Sequence, residues 1–163
     1  MIPDDSAQDG PLRYVEAMRQ ALIMATGQVR GDRSGDVPVG AVVLDSTGVV
    51  IGSGSNVRER ENDPTGHAEI VAMRLASERL RSWRLDRCTL VVTLEPCTMC
   101  AGAVVLARVE TLVFGAYDDK AGAVGSLWDV VRDRRLNHRP RVIGGVLAEE
   151  SREVLRAFFA DRR

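Results

Sequence analysis

No stretch of these 163 residues approaches the length of a membrane span, which excludes a helix that crosses the bilayer. The first ten residues, Met1-Ile2-Pro3-Asp4-Asp5-Ser6-Ala7-Gln8-Asp9-Gly10, lack both a basic segment and an apolar core, so they do not read as a secretory signal. Cysteine is scarce. Three thiols, two of them close together, fit reduced cysteines in a cytoplasmic protein better than a disulfide framework. An excess of either charge is also missing: the net charge of −1 argues against a general nucleic-acid binder. That balance conceals an asymmetry, since residues 130–163 hold nine arginines and five acids, net +4, which leaves −5 on the remainder. A basic final fifth gives either a local anion-binding face or a solvated charged surface. Internal repeats and inter-domain linkers are absent as well. The length is that of one ordinary domain, able to bury a core without disulfides.

The elements follow from periodicity and punctuation. Residues 1–10 read as a disordered leader and 11–163 as one domain. A helix is expected from Pro11, with Leu12, Val15, Met18, Leu22 and Ala25 on its apolar face, stopping near Gly27 to Gly31. After a Gly/Asp/Arg loop to Asp36, Pro38–Leu44 and Val49–Val57 read as a hairpin around Asp45-Ser46-Thr47-Gly48. The small residues of Gly52-Ser53-Gly54-Ser55-Asn56 would let another element approach the backbone closely. A polar loop, 58–66, precedes a helix over His67–Leu80. Cys88–Leu94 is a near-continuous apolar strand, as expected of a central strand covered on both faces. A small-residue helix over Cys97–Ala107 and a strand over Glu110–Gly115 follow, an order that implies a parallel pair. A Gly-rich loop over 116–126, a short helix over Leu127–Val131, a strand over Arg141–Val146 and an amphipathic helix over Ala148–Asp161 complete the chain. The fold class is α/β, a mixed sheet of about five strands with helices on both faces.

Chemistry concentrates at Thr93-Leu94-Glu95-Pro96-Cys97-Thr98-Met99-Cys100. Cys97 and Cys100 lie i, i+3 at a helix start, where partial positive charge favours the thiolates that bind metal. His67, also opening a helix, is the best third ligand. Helices that follow neighbouring strands start along one sheet edge, so His67, Cys97 and Cys100 can share a Zn²⁺ and leave a fourth position open for water. A closed structural zinc site is the competing reading, and it needs a fourth protein ligand. Cys88 begins the strand that ends near Glu95, so at about 3.3 Å per residue it lies roughly 20 Å away, a place for a small core residue. His138 lies far downstream, and nothing requires it at the metal. A redox role for the two cysteines would leave His67 and Glu69 unexplained. Two thiolates neutralise the ion and weaken its hold on the water's proton, so a carboxylate at Glu69 gains a purpose: it can take that proton and return it to a leaving group. Such a site suits hydrolytic attack on an amidine-like carbon with ammonia leaving.

His67-Ala68-Glu69 followed by Pro96-Cys97-Thr98-Met99-Cys100 matches the HxE…PCxxC signature of the zinc-dependent nucleobase deaminases. The chain resembles one family among them, the bacterial tRNA-specific adenosine deaminases. The likeness rests on Val37 to Val42, Asp63-Pro64-Thr65, His67 to Ile70, Thr93 to Gly102 and Val113 to Ala116. Asp118, Lys120, Gly122-Ala123, Gly125-Ser126-Leu127, Asn137-His138-Arg139 and Phe158-Phe159 extend it nearly from Pro11 to the C-terminus. It implies a three-layer cytidine-deaminase-like fold, a homodimer with one zinc per subunit, and editing of the wobble adenosine of an arginine tRNA to inosine. It further implies His67, Cys97 and Cys100 as zinc ligands and Glu69 as the proton shuttle. Asn56 would hydrogen-bond the flipped adenine, and Asp118 a ribose hydroxyl of the anticodon loop. Lys120, Asn137 and the late arginines would contact loop and phosphates. Of Phe158 and Phe159 one would be core and the other, Phe159, a stacking surface for anticodon bases. No DNA or membrane partner is expected. Tyr117, Asp119 and Gly66 depart from the family pattern. A deaminase of guanine or another small base shares the signature, and a silent RNA-binding partner with a structural zinc is the non-enzymatic alternative.

Overall fold

The structure, a computed structural model, describes residues 10–27 and 35–162. The leader expected over 1–10 lies outside the described residues apart from Gly10, as does the loop segment 28–34. Among the described residues, five strands form one sheet: β1 (Gly40–Leu44), β2 (Val50–Ser55), β3 (Thr89–Leu94), β4 (Thr111–Ala116) and β5 (Arg141–Ile143). Five helices accompany them: α1 (Val15–Gly27), α2 (Arg58–Glu61), α3 (Ala68–Leu80), α4 (Thr98–Leu106) and α5 (Ala148–Ala160). The spatial order is β2-β1-β3-β4-β5. β1 runs antiparallel to both of its neighbours, and β3, β4 and β5 are mutually parallel. This is the mixed five-stranded α/β sheet read from the sequence.

The hairpin forms because the Asp45 carboxylate gathers its turn, accepting from the Thr47 amide and hydroxyl at 2.8 and 2.7 Å and from the Val49 amide at 3.1 Å. Alternation along the β-branched strands then divides the core into two. Val43, Leu90, Val92, Leu112 and Phe114 pack with Ala68, Ala72 and Ala76 of α3 and Ala101 and Val104 of α4. Val42, Leu44, Val91 and Val113 pack with Ala17, Met18 and Ala21 of α1, and α5 lies against β4. The result is three layers, with β3 and β4 covered on both sides, in agreement with the sequence reading.

α3 sits hard against β2. A Cβ at Gly54 would lie 2.7 Å from the Ala68 carbonyl oxygen, and one at Gly52 would lie 2.3 Å from that of Ala72. The small-residue stretch thus does what its composition promised, and it fixes the start of α3 beside the end of β2.

Four local expectations need correction. The chain from Pro11 to Tyr14 is a 3₁₀ turn, and Leu12 is 85% exposed; Val15, Met18, Leu22 and Ala25 do face the core as expected, and Tyr14, Ala17 and Ala21 join them. Small residues win there because α1 approaches β1 so closely that a Cβ at Gly40 would lie 2.0 Å from the Ala21 oxygen. The loop 58–66 contains α2, because Asp36, more than twenty residues upstream, accepts from the Glu59 and Arg60 amides at 2.7 and 3.1 Å. Leu127–Val131 forms no helix: Gly122 O accepts from both the Leu127 and Trp128 amides, and Val124 bridges to Asp129. The last strand stops at Ile143, ahead of Gly144 and Gly145, the latter at φ 85°.

Candidate active site

The topology brings the two halves of the motif together. β2 and β3 flank β1 and are both antiparallel to it, so they run in the same direction and end on the same sheet edge. Ala41 pairs with Gly54 on one side and Val92 on the other, which sets those two ends level. α3 follows the first end and α4 the second, so both helices begin at one crevice.

Each helix start is shaped locally. Before α3, the Asp63 carboxylate accepts from the Thr65 amide and hydroxyl, both at 2.8 Å, and Gly66 N donates to Asp63 O at 3.0 Å. A Cβ at Gly66 would come within 3.0 Å of the Val57 side chain, so the glycine allows the turn to lie close to the end of β2. His67 and Cys97 both occupy N-cap positions in extended conformation, and neither side chain caps its own helix. They face each other instead. His67 Nδ1 lies 3.6 Å from Cys97 Sγ and 3.5 Å from Cys100 Sγ, and the three ligand atoms all fall within 4.8 Å of one another. A tetrahedral zinc with ordinary Zn–S and Zn–N bonds sets sulfur and nitrogen about 3.6 Å apart, so the donor set fits that ion in both chemistry and span. Among the described residues this is the one His/Cys/Asp/Glu group found able to hold a metal. Cys88 is buried in the core, its thiol donating to Asp86 O, and His138 contacts the Val109 oxygen at 2.7 Å. Neither supplies a fourth ligand.

Glu69, on the first turn of α3, is 4% exposed. Burial pushes its carboxyl up to about 7, while its own amide and the nearby His67 hold it from rising further. Cys97 moves the other way, down to about 4, because the Cys100 thiol and His67 both hydrogen-bond its sulfur. Cys100 is raised as the donor of that bond, and burial adds to the effect. The arrangement offers a ready thiolate beside a proton-carrying carboxyl.

A cavity of about 480 Å³ opens onto this group, lined by His67, Glu69 and Cys97 at its floor and by Val37, Val39, Ala68 and Leu94. Asn56, Asp118, Lys120 and Phe159 line it too, so four of the five substrate-contact candidates gather around the metal group. Asn56 is buried, donating from Nδ2 to Val37 O at 3.1 Å and accepting at Oδ1 from the Arg58 amide at 3.2 Å. Each of these atoms keeps one unused hydrogen-bonding direction. Asp118 Oδ1 accepts from the Lys120 and Ala121 amides at 2.9 and 3.3 Å. Phe159 is 52% exposed, whereas Phe158 is partly buried, with the Arg162 guanidinium 3.8 Å above its ring. Asn137 is the exception: it is exposed, does not line the cavity, and accepts from Arg108 Nη1 at 3.1 Å.

Arg58 and Leu155, which nothing in the sequence marks as site residues, line the cavity. So does Tyr117, noted above only as a departure from the family pattern; it also borders an adjoining groove with Arg152 and Arg156. Glu95 was seen only as part of the motif, yet it is 2% exposed and organises the loop that carries Asp118. Its one signal was a carboxylate at the end of an apolar strand, next to Pro96-Cys97.

Comparison with known proteins agrees with this geometry. Residues 14–163 match the family described as MafB19-like deaminase. The chain is 47% identical over 146 residues to the tRNA-specific adenosine deaminase of Haemophilus influenzae, covering 90% of this chain and 83% of that one. It is 46% identical over 134 residues to the enzyme of the same name from Bacillus subtilis, covering 82% and 83%. Among solved structures, one from a study of A-to-I editing by tRNA:A34 deaminases superposes with a TM-score of 0.78 at 42% identity, covering 85% of this chain and 97% of that one. A guanine deaminase from Nitrosomonas europaea is more distant, with a TM-score of 0.74 at 27% identity over 90% and 84%. The chain belongs to the MafB19-like deaminases and to the family of the tRNA-specific adenosine deaminases.

Proposed function

We propose that this chain hydrolyses the wobble adenosine of an arginine tRNA to inosine, acting as one deaminase domain over 11–163 in a homodimer. The observation that carries the reading is the His67/Cys97/Cys100 triangle with buried Glu69 beside it, at the floor of a cavity rimmed by Asn56, Asp118, Lys120 and Phe159. A zinc ion held by that triangle would supply a polarised water as the nucleophile. Glu69 takes a proton from the attacking water and delivers it to adenine N1 as C6 is attacked. The second proton passes through the same carboxylate to the departing amine, so water and adenosine give inosine and ammonia.

Asn56 orients the base with the unused directions of its amide, and the apolar Val37, Val39 and Leu94 exclude bulk water. Asp118 and Lys120 face the sugar and phosphates at the rim. Phe159 offers an exposed ring on which a neighbouring base can stack. Asn137, which does not line the cavity and accepts from Arg108, would meet the RNA away from the flipped base. Incubation with an arginine-tRNA anticodon stem-loop and, separately, with guanine tests the proposal. Inosine in the stem-loop with guanine untouched is expected; the reverse pattern would assign a small-base deaminase. Zinc-loaded chain that binds the stem-loop and converts neither substrate would indicate a silent partner.

A further inference from the structure

The loop 117–126 lines the cavity with its first half, Tyr117 to Ala121, yet it contains no helix and only isolated bridges. Its backbone amides need partners, and a buried side chain supplies them. Glu95 Oε1 accepts from the Val124 and Ser126 amides, each at 3.0 Å. Oε2 accepts from the Asp118 amide at 3.0 Å and from the Ser126 hydroxyl. One carboxylate thus ties down both ends of the loop and spends about all four of its acceptor directions there.

Glu95 is only 2% exposed, and its four donors are three amides and a hydroxyl, none of them cationic. A buried carboxylate stripped of these bonds would be expensive, so the loop and the side chain hold each other in place. Two further contacts tie the loop to the turn that carries Cys97: Ala123 N donates to Pro96 O at 2.8 Å, and Gly122 bridges to Cys97. Gly122 lies directly on the carboxylate, since a Cβ there would be 2.5 Å from both Glu95 Cδ and Oε2.

We infer that Glu95 is a positioning residue: it latches the loop that presents Asp118 and Lys120, and so governs how tightly substrate binds. The inference rests on the proposed deamination of RNA, and it assigns Glu95 no part in the proton transfers. Changing Glu95 to glutamine replaces one acceptor by a donor and leaves an N–H opposed to an N–H at one loop end. Glu95→Gln is expected to raise KM for the anticodon stem-loop by about tenfold, with kcat within about threefold of wild type and zinc content unchanged. Ser126→Ala, which removes one of the four donors, should give a smaller rise in KM. Gly122→Ala, whose Cβ would press on both the carboxylate and the Asp118 backbone oxygen, should loosen the same loop and raise KM without altering charge.

Amide exchange supplies a readout independent of turnover. In Glu95→Gln the Asp118, Val124 and Ser126 amides should exchange faster while those of β3 and β4 keep their protection. If Glu95→Gln fails to fold, Ser126→Ala and Gly122→Ala carry the same comparison. Unchanged KM with unchanged loop exchange would overturn the latch, as would a fall in kcat or zinc content with KM unaffected. If the wild-type chain makes no inosine, the functional reading fails by itself, and loop exchange still decides for or against the latch.

Discussion

At the scale of single residues, the site depends on two N-cap positions filled by unusual residue types. Serine, threonine, aspartate or asparagine at an N-cap would bond its own helix. His67 and Cys97 make no such bond, and each leaves its side chain free to meet the other across the crevice. Replacing His67 or Cys97 by alanine should cut bound zinc from about one per chain to a small fraction, measured by atomic absorption on purified protein. Full occupancy in either variant would contradict the ligand set. The turn that delivers His67 also responds to acid. The Thr65 hydroxyl and amide hold the Asp63 carboxyl below its ordinary value of 3.8, and its neighbour Arg74 adds to this. A depressed carboxyl contributes stability that is present above its unfolded pKa and lost as the pH falls through the folded one. The advantage of wild type over Asp63→Asn in urea should therefore shrink below pH 3.8. A gap that stays constant down to about pH 2 would rule this out.

At the scale of elements, the sequence was most informative where pattern and packing agree. The apolar runs of β1, β3 and β4 declared a covered sheet, and Gly52 and Gly54 declared a close approach that α3 makes. Gly54→Ala should cost about 1–3 kcal/mol, read as a lower urea midpoint, because its Cβ would meet the backbone of α3 rather than a yielding side chain. A loss below about 0.3 kcal/mol would mean that α3 can retreat from β2. What stayed hidden was contributed by distant residues. α2 depends on Asp36 for its first amides, and the loop 117–126 depends on Glu95, so neither could be read from its own composition. The Leu127–Val131 run looked helical, but Gly122 and Gly125 fold its backbone elsewhere and leave Leu127 and Trp128 exposed. The metal triad was legible because spacing and residue type both constrain it. The cavity rim was not, apart from the resemblance, since Asn56 or Asp118 alone reads as an ordinary turn residue.

At the scale of the whole molecule, strand direction does the assembling. Two helix starts that are thirty residues apart meet because β2 and β3 share a direction on either side of β1. The basic C-terminal segment supplies α5, whose Leu155 and Phe159 reach the cavity and whose Arg152 and Arg156 line the adjoining groove. The acidic remainder keeps the net charge near zero, so RNA contact would be confined to this face rather than spread over the surface. The proposal that this cavity edits one adenosine in RNA, with Glu69 moving the protons, is tested by inosine formation in an arginine-tRNA anticodon stem-loop. Zinc-loaded wild type and Glu69→Gln are compared, with metal content measured on both. Inosine at the first anticodon position is expected with wild type, and equal zinc but a loss of about 10²–10⁴-fold in rate for the variant. Undiminished conversion by Glu69→Gln, or no conversion by the wild-type chain, would contradict it.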